Sequence, residues 1–151
     1  MIHKLSTLFY QPALGMLLIR IAIGLVFVMH GLAKLGNISA TAGFLGMIGI
    51  PAPEMMVYVL IAVEIVGGLM IITGLALRFA AVATGIAMVV AALLVGFPQG
   101  GYSGAEWEIL LALSSFGLAL TGAGSLRLLN IFEHDKDEQP AAPASSSGMG
   151  M

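Results

Sequence analysis

The chain has 151 residues, of which 59% are hydrophobic and 9% are charged, and its formal net charge is −2. Soluble domains carry about 25% charged residues, so this composition indicates an integral membrane protein. Nucleic-acid binding is not expected, because the chain has no excess of basic residues. There is no cysteine, so we expect no thiolate metal site and no cofactor intrinsic to the chain, and redox chemistry would need a bound cofactor or a partner.

Four apolar segments have the length of a transmembrane helix, at about 13–35, 55–77, 79–97 and 107–124. The first is too long for the apolar part of a signal peptide and lacks a cleavage site, so we expect it to be retained. Between the first two segments, Ser39 is placed to cap a short interfacial helix from Thr41 to Ile50. The predicted fold class is an all-α integral membrane protein, an antiparallel four-transmembrane-helix bundle with one short interfacial helix.

The connections and the flanking charges predict the topology. Only Leu77-Arg78-Phe79 separates the second and third spans, which indicates a tight hairpin with Arg78 at its tip. The side that holds both termini has more basic residues than the other side: Lys4, Arg78, Arg127 and Lys136 against Lys34. Both termini should therefore be cytoplasmic. Residues 131–151 are charged and then rich in Pro, Ala and Ser, so we predict a disordered tail after a transmembrane domain at 1–130.

Small residues share one face of helices one and two, at about 100° of rotation per residue. They are Gly24, Gly31, Gly67, Gly68 and Gly74. Joining two apolar helices in lipid brings no hydrophobic gain, so helix association depends on close backbone approach and on interhelical hydrogen bonds. We expect these faces to pack together, along with a small-residue face of helix four.

Arg20 and Glu64 lie deep within apolar spans, where an ionisable group is costly unless it is paired or functional. At about 1.5 Å of rise per residue, His30, Glu64 and Arg20 lie about 8, 16 and 22 Å below the outer end. We predict that Arg20 pairs with Glu64, and that Lys34 lies near the carboxylates of helix four. The predicted site is a ladder that is open to the extracytoplasmic side and contains Arg20, Glu64, His30, Lys34 and Glu108.

Structural roles would also account for these residues. An Arg20–Glu64 pair can fix helix register alone, His30 can bind a carbonyl or a lipid headgroup, and Lys34 can be an anchor at the membrane surface. Lys34 lies one turn after His30 and favours a neutral imidazole. For Glu64, desolvation favours the protonated form and Arg20 favours the ionised form. The protonation states of Glu64 and His30 therefore stay open.

Four motifs follow one another along the chain. They are Arg20-x-x-x-Gly24-x-x-Phe27-x-x-His30-Gly31-x-x-Lys34, Gly49-Ile50-Pro51-x-Pro53, Glu64-x-x-Gly67-Gly68 with Gly74-x-x-x-Arg78, and Thr121-Gly122-x-Gly124. Their order and spacing resemble the DoxX family of small four-helix bacterial inner-membrane proteins, from about Leu14 to Gly124. After Gly124 the chain lacks the Ser-x-Asp element of many members. This difference affects the expected contacts on the cytoplasmic side and not the predicted ladder.

The resemblance implies an inner-membrane protein tied to oxidoreductase systems, among them a quinone-linked thiosulfate-oxidising enzyme and complexes that handle thiol or oxidative stress. It implies no defined activity, and whether the chain is an enzyme stays open. Our leading hypothesis is a redox-associated subunit in which His30, Lys34 and Glu64 bind a quinone headgroup and His30 or Glu64 moves a proton.

Two alternatives remain. The chain could be a non-enzymatic structural or assembly partner in a membrane complex, or it could form a pathway for a small solute or a proton. The expected partners are the lipid bilayer and either redox-enzyme subunits or further copies of the chain, without nucleic acid.

Overall fold

A computed structural model describes residues 11–126. Within these residues the chain is helical and has no strand: α1 (Pro12–Leu35), α2 (Ile38–Met47), α3 (Pro53–Thr73), α4 (Leu77–Ala91), a π-helical turn (Ala92–Gly96) and α5 (Phe97–Thr121). The predicted all-α class, with a short helix after the first span, is confirmed. Lys4 and the predicted tail lie outside the described residues.

Within residues 11–126, three helical stretches are long and apolar enough to cross a membrane: Pro12–Leu35, Pro53–Thr73 and the 45-residue stretch Leu77–Thr121. The third folds back on itself, because Gly100 and Gly101 leave the helical conformation and Gly101 has φ 61°, which favours glycine. Oγ1 of Thr84 lies 3.4 Å from Oγ of Ser115, and Gly96 lies against Gly104. The stretch is therefore an antiparallel pair, and the bundle has four long segments.

The turn between α3 and α4 lies at Gly74–Ala76, three residues earlier than the sequence predicts. Gly74 has φ 77°, and its N–H donates to the carbonyl of Met70 at 2.9 Å, which ends α3 after Thr73. Arg78 consequently belongs to the first turn of α4 and is not at the tip of a hairpin. Gly74 caps a helix end, whereas the sequence pattern assigned it to a packing face.

The short helix α2 also begins earlier than predicted, after Asn37, and it ends at Met47. Ser39 lies inside its first turn, so the predicted cap at Ser39 is wrong. Ala42 and Leu45 of α2 are buried against Val57 and Ile61 of α3. This contact holds α2 beside the start of α3, and we call this end of the bundle the α2 end.

Helices α1 and α3 approach closely at Gly24 and Gly31 of α1 and at Gly68 of α3. A Cβ atom added to Gly24 would lie 2.5 Å from Cγ1 of Ile72 and 2.6 Å from the carbonyl oxygen of Gly68. A Cβ atom added to Gly31 would lie 2.5 Å from Cγ1 of Ile65. On the other side of α3, Gly67 lies against Thr84 of α4. The two hairpins α1–α3 and α4–α5 meet mainly through α3 and α4, and α1 has little contact with α5.

Gly24→Ala is expected to lower the stability of the bundle by about 1–3 kcal/mol, because the new methyl group must displace backbone atoms of α3. Thermal unfolding in a mild detergent measures the change. Gly117→Ala is the matched control, since a Cβ atom there has nothing within 4 Å and alanine favours the helix. Equal unfolding temperatures for wild type and Gly24→Ala would contradict the close approach of α1 and α3.

Candidate functional site

A cleft of about 1060 Å³ lies in the half of the bundle that carries α2, and all five helices contribute to its wall. Most of the wall is apolar. Its polar and ionisable residues are His30, Lys34, Thr41, Glu64, Glu108 and Ser114, together with the indole of Trp107. The structure therefore places four of the five predicted ladder residues around one cleft, and only Arg20 lies elsewhere.

Lys34 and Glu64 form an ion pair in this wall. The Nζ atom of Lys34 donates to both carboxylate oxygens of Glu64, each at 2.8 Å. The Glu64 side chain is 2% exposed and that of Lys34 is 25% exposed. Gly31, one turn before Lys34, brings α1 close to Glu64, since a Cβ atom there would lie 3.1 Å from Cβ of Glu64. Two of the three N–H groups of the ammonium are used in the pair, and one remains for a ligand.

Arg20 makes a different set of contacts, and the predicted Arg20–Glu64 pair is wrong. Its guanidinium donates to the carbonyls of Ile71 at 2.9 Å and Ile72 at 2.6 Å, and to those of Ala123 at 2.8 Å and Leu126 at 2.7 Å. The first two carbonyls belong to the last turn of α3, where carbonyls have no partner within the helix and the helix dipole favours a cation. Arg20 thus ties α1 to the end of α3 and to the segment after α5.

His30 lies on the cleft side of α1 and is exposed in the bundle. Its Nδ1 atom is 2.8 Å from the carbonyl oxygen of Val26. A carbonyl only accepts hydrogen bonds, so Nδ1 carries a proton in this contact. In the neutral imidazole, Nε2 is then an acceptor that is available to the cleft.

Glu108 lines the cleft from α5, next to Trp107. Its Oε2 atom is buried and has no hydrogen-bond partner in the part of the chain that the structure describes. The sequence places Lys34 near the carboxylates of α5, but Lys34 is engaged by Glu64 on α3. Glu108 is therefore a second carboxyl group of the cleft, and no cation forms a salt bridge with it within residues 11–126.

Two wall residues, Thr41 and Ser114, are absent from the predicted site, and neither belongs to a motif that would have indicated it. Thr41 donates to the carbonyl of Asn37 at 3.0 Å, so its hydroxyl proton is used within α2.

Among residues 11–126, no group of three or more His, Cys, Asp or Glu side chains could hold a metal ion.

The model of the DoxX family matches residues 15–96, which is more than half of the chain. The chain belongs to the DoxX family. A curated relative from Bacillus subtilis (strain 168), named "Putative oxidoreductase CatD", is 37% identical over 115 residues, which are 76% of this chain and 84% of the relative. No solved structure matches the chain.

The DoxX match includes His30, Lys34 and Glu64 and ends before Glu108. Together with the apolar helical stretches, family membership makes this DoxX protein a membrane protein. The wall residues of the cleft thus come from the matched region and from α5 beyond it.

Proposed function

We propose that this DoxX protein is the membrane subunit of an oxidoreductase system and that its cleft binds the headgroup of a membrane quinone. The observation that carries the proposal is the Lys34–Glu64 ion pair, with its buried carboxylate, in the wall of a mostly apolar cleft. Small-molecule sites commonly combine apolar walls with a few polar groups that fix the orientation of the ligand. The name of the Bacillus subtilis relative supports the link to redox chemistry.

The shape of the cleft suits a flat ring with an apolar tail. The volume of about 1060 Å³ is at the upper end of the range for small-molecule pockets. Its rim includes apolar side chains that face the outside of the bundle: Val59 is 48% exposed, Ile86 54% and Leu110 54%. In a bilayer such side chains would face lipid, so a lipophilic ligand could enter from the membrane.

The chain's own residues would supply hydrogen bonds and proton exchange in this function. The remaining N–H of Lys34 suits a carbonyl oxygen of the headgroup, and His30 and Glu108 are titratable groups in the same wall. Electrons would be exchanged with a redox-enzyme partner. The proposal includes a location in the bacterial inner membrane with both termini cytoplasmic.

Titration with decylubiquinone, a short-tailed quinone, tests the proposal through the fluorescence of Trp107, the one tryptophan of the chain. We expect saturable quenching for the wild type in lipid nanodiscs. The double variant Lys34→Met/Glu64→Leu removes the ion pair and should weaken binding about tenfold, which corresponds to one charge-assisted hydrogen bond of about 1.4 kcal/mol.

Glu106→Gln is the matched control, because Glu106 is exposed beside Trp107 and does not line the cleft. This control should bind decylubiquinone like the wild type. Non-saturable quenching that is equal in all three proteins would reject a quinone site. Purification in mild detergent would then show whether a stoichiometric subunit accompanies the chain, as an assembly role requires.

A further inference from the structure

Within residues 11–126, and with a neutral imidazole at His30, the titratable side chains of the cleft leave two acceptors and one donor without a partner. Nδ1 of His30 lies 2.8 Å from the carbonyl oxygen of Val26, so in the neutral imidazole Nε2 is the acceptor. Oε2 of Glu108 is buried and has no hydrogen-bond partner within residues 11–126. The donor is the third N–H of Lys34, since the other two contact Glu64.

Polar groups that water does not reach in a membrane must find partners inside the protein or on a ligand. An oxidised quinone headgroup has two carbonyl acceptors and no donor. It could accept from Lys34, but it would leave the acceptors on His30 and Glu108 unpaired. The reduced headgroup has two hydroxyl groups, each of which donates one hydrogen bond and also accepts.

We propose that the cleft prefers the reduced, hydroxyl-bearing form of the ligand, a quinol, over the quinone. One hydroxyl donates to Nε2 of His30, the other donates to Oε2 of Glu108, and a hydroxyl oxygen accepts from Nζ of Lys34. His30 and Glu108 are then the residues that determine specificity for the redox state, because they act on the protons that distinguish the two forms. This inference rests on the proposed function for the ligand class.

Anaerobic calorimetry on the full chain in lipid nanodiscs tests the preference with three probes that share a tail and a ring. The probes are decylubiquinone, decylubiquinol and the dimethyl ether of decylubiquinol, and heats from empty nanodiscs are subtracted. We expect decylubiquinol to bind about tenfold more tightly than decylubiquinone, as the gain of two neutral hydrogen bonds would give. The dimethyl ether should bind no more tightly than the quinone, because it has no donor.

Two variants assign the preference to the acceptors. His30→Leu and Glu108→Leu should each reduce the ratio of quinol affinity to quinone affinity severalfold. Glu108→Gln keeps a side-chain carbonyl and should retain the advantage. Glu106→Leu is the control on the same helix, and thermal unfolding checks that each variant is folded.

The failures of the two proposals are distinguishable. Saturable binding of all three probes, with the quinone equal to or tighter than the quinol, would overturn the redox preference and leave the quinone site in place. If none of the three probes binds saturably, both the quinone site and the redox preference are overturned. The comparison of the three probes on the wild type decides the preference even where a variant does not fold.

Discussion

Replacing Lys34 by methionine is expected to destabilise the bundle by about 3–5 kcal/mol, because the substitution leaves the Glu64 carboxylate buried without a cation. Glu64 is only 2% exposed, so water has little access to the remaining charge. The reverse change, Glu64→Leu, should cost less. Lys34 is 25% exposed, and its long side chain can move its ammonium group toward the membrane surface.

The double variant Lys34→Met/Glu64→Leu should recover most of the stability lost in Lys34→Met, since removing both charges leaves no unpaired group in the wall. A double-mutant cycle from thermal or denaturant unfolding in one detergent measures the coupling. Simple additivity of the two single changes would show that the ion pair is absent in the membrane protein. Because the double variant should be more stable than Lys34→Met, it is the better variant for testing the proposed ligand binding.

Replacing Arg20 by leucine is expected to cost about 4 kcal/mol, because four backbone carbonyls lose their donor at once. Arg20 is 1% exposed, and its partners lie at the end of α3 and after α5. Arg20→Lys should recover only part of the loss, since an ammonium is a point donor and cannot span four carbonyls as a planar guanidinium does.

Unfolding of Arg20→Leu, Arg20→Lys and Arg20→Leu/Glu64→Leu in the same detergent checks this role. The effects of Arg20→Leu and Glu64→Leu should add within about 0.5 kcal/mol, because the two side chains share no partner. Strong coupling between the two changes would contradict the separate contacts of Arg20 and Glu64 and support the pair that the sequence predicts. The ligand binding proposed for the α2 end should persist in any Arg20 variant that folds.

The long apolar spans could be predicted from the sequence because each depends on a local property, the length of an uninterrupted apolar run. The helix ends were predicted less well. Gly74 ends α3 through its backbone conformation, and the two glycines at 100 and 101 make the last connection. These turns depend on the backbone dihedral angles of a few residues, which a hydropathy profile does not show.

The sequence by itself determined that this is a membrane protein of four long apolar segments, with Arg20, His30, Lys34, Glu64 and Glu108 as its unusual polar groups. Only the tertiary structure decided their partners. Depth along a helix leaves rotation and lateral distance open, so a depth argument places Glu64 between His30 and Arg20 and gives no reason to pair it with Lys34. The close approach at Gly31 brings Lys34 to Glu64. Arg20 instead donates to carbonyls at the end of α3 that have no partner within the helix. A pattern of side chains does not show backbone acceptors, so the sequence did not indicate these partners of Arg20.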